Sequence, residues 1–140
     1  MDSAAAVVLA ALIGFLLGTG PALADERVPY TIAVENAAAK VGEKAAVVAT
    51  ITPPEGFNIT KSYRARVIDL SAYQDRGVAF DDEVVFGRIE NGSVVFKVGV
   101  TPTEPGEHPI NGLIRVSFYT EEGRSESKSV PLMATVMGTE

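Results

Sequence analysis

The sequence predicts an all-β protein, folded as a two-sheet antiparallel β-sandwich. From Pro29 onward, short runs of residues alternate between apolar and polar side chains, which is the pattern of strands with one buried face. Turn-forming residues separate these runs at intervals of roughly ten residues. No segment of this part repeats its apolar residues at the spacing of an amphipathic helix. Together these observations favour sheets that pack face to face.

The segment 1–24 is predicted to be a signal peptide that precedes the domain. Its apolar run, Ala4 to Leu17, is shorter than the about 20 residues that span a bilayer. Ala22 and Ala24 supply the small side chains that a signal peptidase accepts, so we expect cleavage after Ala24. Residues 25–140 then form one periplasmic or secreted domain with no membrane span. Asp2 is the only early charge, and the missing positive residues keep an uncleaved anchor open as an alternative.

The charge and cysteine content exclude some classes of function. The chain has 12 basic and 18 acidic residues, for a net charge of −6. Because phosphate binding needs clustered Lys and Arg, nucleic acid is not expected as a partner. The chain contains no cysteine, so no disulfide stabilises it and its stability has to come from an apolar core.

The strands are predicted in chain order from their alternation. The first contains Tyr30, Ile32 and Val34 on one face, and the second extends from Lys44 to Pro53, where two prolines end the ladder. A third strand is expected at 63–70, followed by two short β-rich pieces within 77–86. Asn91-Gly92 predicts a type I′ hairpin turn, because both residues tolerate positive φ.

The second half of the chain predicts the central strands of the core. Val94, Phe96, Val98 and Val100 lie on one face of the next strand. The prolines of 101–109 predict a loop, and two final strands flank the turn at Gly123. Seven to eight short strands in one chain favour an immunoglobulin-like antiparallel sandwich. A small closed barrel is the alternative.

No constellation of residues in the sequence indicates catalysis. The one histidine, His108, lies in the proline-flanked loop and is expected to be an exposed imidazole, since no nucleophile motif accompanies it. The acids Asp75, Asp81, Asp82 and Glu83 are expected to form a solvated loop; a calcium site is the less favoured alternative because their spacing is not that of a calcium loop. We predict no enzyme activity, no cofactor and no resident metal.

An aromatic and arginine group is the best candidate for recognition. Phe57, Tyr63 and Tyr73 are expected to border the Gly56 loop, and Arg64 and Arg66 to project from one strand beside them. The alternative is that these aromatic rings close the end of the core. The candidate binding residues are Phe57, Asn58, Tyr63 and Arg64.

Two stretches of the chain resemble a known family. TPPEGFNITKSYRARV, with Pro54, Gly56, Phe57, Lys61 and Tyr63, is similar to a segment in the amino-terminal domain of the thiol:disulfide interchange protein DsbD and its stand-alone periplasmic relatives. EPGEHPINGLIRVSFYTEEGRSESKSVPLMATV resembles the closing hairpin of that family. The resemblance implies an immunoglobulin-like domain of the bacterial envelope.

The chain departs from this family at its reactive positions. The resemblance places a cysteine pair near Tyr119 or Thr120 and near Gly123 or Arg124, and a histidine at Asn58, but none of these residues is present. Because thiol exchange requires a thiolate, this chain cannot carry out that reaction.

These inferences predict a non-catalytic exported module that binds or scaffolds another envelope or periplasmic protein. The contact is expected through a sheet edge or through the Gly56 and Gly123 loops. An accessory role in a thiol-redox or metal-handling envelope pathway is the alternative that the resemblance suggests. A hydrolase or metal-dependent enzyme that uses the acidic loop is a third hypothesis.

Overall fold

The computed structural model describes residues 30–140, so the predicted signal peptide lies outside the described residues. The described chain forms eleven strands and one 3-10 turn, Tyr73–Asp75. Within residues 30–140 there is no helix long and apolar enough to cross a membrane. The strands are β1 (Thr31–Glu35), β2 (Ala37–Lys40), β3 (Ala45–Thr52), β4 (Phe57–Ile59), β5 (Arg66–Ala72), β6 (Val78–Phe80), β7 (Val85–Phe86), β8 (Arg88–Glu90), β9 (Ser93–Pro102), β10 (Gly106–Thr120) and β11 (Ser125–Thr139).

The strands form two sheets. The first has the order β1-β3-β9-β6, with β8 also paired to β9. The second has the order β2-β11-β10-β5-β7, with β4 also paired to β10. The order β1-β3-β9-β6 in one layer and the order β11-β10-β5 in the other match the arrangement of an immunoglobulin-like sandwich. The predicted fold class is confirmed. The alternative, a closed barrel, is wrong because the strands form two separate open sheets.

The strand count depends on how short pieces are treated. The seven to eight predicted strands include the two short pieces within 77–86, which form β6 and β7. The structure adds three strands that were not predicted, β2, β4 and β8. Of these three, β4 and β8 have only three residues each. Such pieces leave little alternation to detect in a sequence.

The chain changes sheets at Asn36. β1 pairs antiparallel with β3, whereas β2 pairs in parallel with the end of β11. The Asn36 side chain holds this switch, because its Oδ1 accepts a hydrogen bond from the Thr135 backbone N–H at 2.9 Å. Within residues 30–140, this is the one parallel pairing; the other strand pairs are antiparallel.

The core lies between the inward faces of the two sheets. Phe96 from β9 and Phe118 from β10 are the largest fully buried side chains, with Val and Ile residues around them. Every inward residue predicted on β9 is buried, and so are the predicted inward residues Ile114 and Val130 of the closing strands. The buried apolar residues lie between Ala37 and Val136, so a chain that starts at Asp25 retains all of them.

The predicted turn at Asn91 and Gly92 is confirmed. Their φ angles are 51° and 81°, both positive as a type I′ turn requires. Other boundaries were wrong. The loop predicted at 101–109 shrinks to residues 103–105, because β9 continues through Pro102 and β10 begins at Gly106. The third predicted strand, β5, begins at Arg66, later than the predicted Tyr63.

Candidate functional site

The Gly56 loop and the hairpin turn at Gly123 lie side by side at one end of the sandwich. Strand β4, directly after Gly56, pairs antiparallel with the last residues of β10, so that Phe57 lies opposite Thr120 and Asn58 opposite Tyr119. The Phe57 N–H also donates to the Pro54 carbonyl at 3.0 Å, which closes the turn before the strand. Sheet pairing therefore fixes two loops that are distant in sequence at one end of the second sheet.

The hairpin turn is held by its own hydrogen bonds. The Thr120 N–H donates to the Arg124 carbonyl at 2.8 Å, and the Gly123 N–H donates to the Thr120 carbonyl at 3.0 Å. The Thr120 hydroxyl accepts from the Arg124 N–H at 3.1 Å. Gly123 has a φ of 93°, a conformation that glycine adopts without strain. Arg124 thus projects from a well-defined turn.

A shallow groove of about 570 Å³ separates the two loops, and residues 55–58 and 120–122 line it together with Arg124. We call it the loop-end groove. The Arg124 guanidinium carbon lies 5.7 Å from the centre of the Phe57 ring, a cation–π geometry. Phe57 is half-buried and packs against the core, whereas Asn58 is exposed. Glu55, Glu121 and Glu122 make much of the groove wall acidic.

Tyr63 and Arg64 lie outside this groove, in the loop between β4 and β5. The Arg64 guanidinium carbon lies 4.2 Å from the Phe86 ring centre, and that of Arg66 lies 5.6 Å from the Tyr63 ring centre. Arg66 also donates a hydrogen bond to the Arg64 carbonyl at 2.9 Å. We call Tyr63, Arg64, Arg66 and Phe86 the arginine edge. Phe86 was not predicted as part of the site; it is 50 % exposed and follows an acidic loop with no distinguishing motif.

The arginine edge continues onto β10. Arg66 is the direct cross-strand partner of Arg115, with both side chains on the outer face of the sheet. The buried Nε of Arg115 has no hydrogen-bond partner within residues 30–140. Among the ion pairs of those residues, none involves Arg64, Arg66 or Arg115. Two adjacent guanidinium groups without a described acid make this a cationic strip on an acidic protein.

Tyr73 is not part of either group, so its predicted position beside the Gly56 loop was wrong. It lies in the 3-10 turn after β5, and Ala72 of that strand pairs with Ile110. Phe57 pairs with Thr120, at the other end of β10. Because β5 runs along β10 from Arg115 to Ile110, it carries Tyr73 away from the Gly56 loop, towards the opposite end of the sandwich.

His108 also differs from the expectation. It belongs to strand β10, is half-buried, and its Nε2 lies 2.7 Å from the Glu104 carbonyl oxygen. Its ring covers Gly77, where an added Cβ would collide with the imidazole. The imidazole is therefore a packed side chain instead of an exposed loop residue.

The acidic residues of 75–83 do not all lie together. Asp81 lies 3.8 Å from the Lys44 ammonium, and its N–H donates to the Gly99 carbonyl at 3.0 Å. Asp81, Asp82 and Glu83 line an open pocket with Asp69, whereas Asp75 lies in the 3-10 turn outside it. In the part of the chain that the structure describes, no group of three or more His, Cys, Asp or Glu residues has the arrangement of a metal site.

Comparisons with known proteins add little to this geometry. No family model matches the chain, and no curated protein matches it. Among solved structures, the chain is similar to BcpA, the major pilin subunit of Bacillus cereus, with 14 % identity and a TM-score of 0.37. The match covers 91 % of this chain and 44 % of the pilin chain. The class that the fold itself defines is an immunoglobulin-like β-sandwich domain.

Proposed function

We propose that this protein is an exported, non-catalytic module that binds another envelope or periplasmic protein through the loop-end groove and the adjoining arginine edge. The observation that carries the proposal is the convergence of two loops, in which Phe57 from one lies beneath Arg124 from the other. Binding surfaces are commonly built from loops that a rigid sheet scaffold positions. Export is supported by the apolar segment and small residues within 1–24.

The residue types at this end support protein binding. Aromatic and arginine side chains dominate the binding energy of many protein interfaces because they bury large areas and donate several hydrogen bonds. Phe57, Tyr63 and Phe86 supply the rings, and each has a guanidinium group over its face. The rings and cations are therefore held in place before a partner arrives, which reduces the entropy lost on binding.

The partner is expected to present acidic side chains to the arginine edge. Arg66 and Arg115 are adjacent like charges, which destabilise a sheet unless an anion compensates them. A carboxylate can bind a guanidinium through two parallel hydrogen bonds. An acidic segment of a protein partner would thus neutralise this strip.

The non-catalytic part of the proposal is supported by composition and by the position of the one histidine. The chain has no cysteine, and His108 packs over Gly77 with Nε2 directed at a backbone carbonyl. General-base catalysis needs a residue within hydrogen-bond reach of a reacting proton. Calorimetry that detected calcium or zinc binding abolished by Asp81→Asn with Asp82→Asn would favour the enzyme hypothesis instead.

The test is affinity purification of the exported chain, residues 25–140, after crosslinking in the cell. We expect one reproducible protein partner, which is lost when Phe57→Ala or Tyr63→Ala is introduced. Tyr73→Ala is the matched control, because Tyr73 is 64 % exposed at the opposite end of the sandwich. The proposal would be contradicted if the partner is still recovered with both Phe57→Ala and Tyr63→Ala but is lost with Tyr73→Ala. Mass spectrometry of the amino terminus tests cleavage after Ala24.

A second candidate is an accessory role in a thiol-redox or metal-handling pathway. The observation that favours it is the placement of the positions at which the DsbD resemblance puts reactive residues. Asn58 lies opposite Tyr119, and Thr120 and Arg124 close the same turn. The identity of the crosslinked partner tests this role, which requires a redox or metal-trafficking protein among the recovered partners.

A further inference from the structure

Strand β11 has a long unpaired edge near the hairpin turn. On one side it pairs with β10 along almost its whole length. On the other side it pairs with β2 only from Val136 to Thr139. Within residues 30–140, no strand lies beside the stretch from Ser125 to Ala134. An open edge of this kind can accept a further strand through main-chain hydrogen bonds.

The structure shows which residues offer their backbone groups at this edge. In an antiparallel pair, the N–H and C=O groups of alternate residues point away from the partner strand. Thr135 donates its N–H to Asn36 and Thr139 accepts from Val41, so the odd-numbered residues of β11 point away from β10. The even-numbered Arg124 instead directs its carbonyl to Thr120. Ser125, Ser127 and Ser129 therefore present free donors and acceptors at the edge.

Pro131 limits the open edge. It is also an odd-numbered residue of β11, opposite Leu113, and it has no N–H to donate. An added strand can thus form a regular ladder from Ser125 to Ser129 but loses a bond at Pro131. The accessible edge is a short segment with defined ends, SESKS.

The charges within this segment are self-complementary. Glu126 and Lys128 lie on the face of β11 that also carries the buried Val130, and the three serines lie on the opposite face. The Glu126 and Lys128 side chains are 3.3 Å apart; Glu126 is one third exposed and Lys128 one quarter exposed. If two copies of the segment pair antiparallel about Ser127, Glu126 of each copy lies opposite Lys128 of the other. Opposite charges at directly facing positions stabilise a sheet, and like charges destabilise it.

Neighbouring registers are less favourable. A register centred on position 126 places two glutamates opposite each other, and a register centred on position 128 places two lysines opposite each other. A centre at Ser129 brings Pro131 into the ladder, and a centre at Ser125 extends into the turn, since β11 begins at Ser125. The register about Ser127 alone combines paired charges with about six main-chain hydrogen bonds.

We propose that the exposed edge of β11 pairs with the same edge of a second copy, antiparallel and centred on Ser127, to form a two-fold symmetric dimer with one continuous sheet. The interface is isologous, as expected for a symmetric dimer. It does not depend on the proposed binding of an envelope protein, because it uses the edge of β11 and not the loop-end groove or the arginine edge.

The absence of cysteine from the sequence allows the register to be read by crosslinking. In the proposed dimer the two copies of position 127 lie about 5.5 Å apart between Cα atoms, within disulfide range. The two copies of position 129 lie about 14 Å apart, beyond that range. We expect Ser127→Cys to form a disulfide dimer under mild oxidation, and Ser129→Cys or Ser125→Cys alone to form none. A mixture of the last two variants should crosslink.

Sedimentation velocity of the cysteine-free exported chain measures the association itself. Ser127→Pro removes only an edge donor, and we expect it to raise the dimer dissociation constant at least tenfold while thermal unfolding stays cooperative. Glu126→Lys should weaken the dimer similarly, and Glu126→Lys combined with Lys128→Glu should restore it. A monomeric exported chain at high concentration would overturn the proposal. Equal crosslinking at all three positions would also overturn it. So would a result in which residues 30–140 dimerise but the exported chain, residues 25–140, does not.

Discussion

The body of the sandwich consists of buried side chains, whereas its loop end, the Gly56 loop and the turn at Gly123, consists of exposed or half-buried ones. In the body, β9 and β10 carry Phe96 and Phe118 between two sheets, and both side chains are almost completely buried. At the loop end, a three-residue strand and one tight turn position Phe57 beneath Arg124, with open solvent around them. Burial in the body therefore provides the stability. The loop end can supply binding residues with little effect on that stability.

The largest expected effect is in the body. Phe96→Ala should lower the free energy of unfolding by about 4 kcal/mol, because the removed ring leaves a cavity between the two sheets. Urea denaturation followed by circular dichroism measures the change. Partner binding should be retained wherever the variant is still folded. A loss below about 1 kcal/mol would mean that the two layers are not closely packed at Phe96.

Two glycines with the same backbone angle sharpen the comparison. Gly77 has a φ of 92° and lies against the His108 ring, whereas Gly123 has a φ of 93° and open space at its Cβ position. Both alanine variants have the strain of positive φ, about 1 kcal/mol. Only Gly77→Ala adds a collision, so we expect it to be destabilised by about 2 kcal/mol more. Equal thermal shifts for the two variants would contradict this account of crowding at Gly77.

Phe57→Ala should reduce stability only slightly but reduce partner binding strongly. The ring is half-buried, so its removal is expected to lower the free energy of unfolding by only about 1 kcal/mol. Binding of the protein partner should fall at least tenfold, measured with the purified partner. If stability falls as far as in Phe96→Ala, the Phe57 ring is part of the core. That result would favour the alternative in which the aromatic rings close the end of the core.

The smallest expected change in stability is that of Arg124→Ala. An exposed cation–π contact contributes about 0.5 kcal/mol, so the unfolding midpoint should hardly move. Arg124→Lys keeps the charge and is the conservative control for partner binding. A large loss of stability in Arg124→Ala would show that the turn itself depends on this side chain.

The body was predictable from sequence and the loop end only in part. Alternation identified Val94, Phe96, Val98 and Val100 as inward residues, since a strand with one buried face leaves that pattern. The hairpin at Asn91 followed from its turn chemistry.

The candidate site was identified by residue type but not by arrangement. Phe57 and Tyr63 were recognised as ring-bearing loop residues, yet they contact different arginines. Arg124 was missed as the neighbour of Phe57 because their contact depends on the pairing of β4 with β10, which no local pattern encodes. The change of sheet at Asn36 was missed for the same reason, since it depends on Thr135 far along the chain.

Site-specific photo-crosslinking in the cell tests the central claim, that the loop end is the contact surface, most directly. A photoreactive residue replaces Asn58, which is exposed in the loop-end groove, or Ser71, which is exposed near the opposite end of the second sheet. The account predicts one discrete protein adduct from position 58 and none from position 71. An adduct from position 71 with none from position 58 would contradict it.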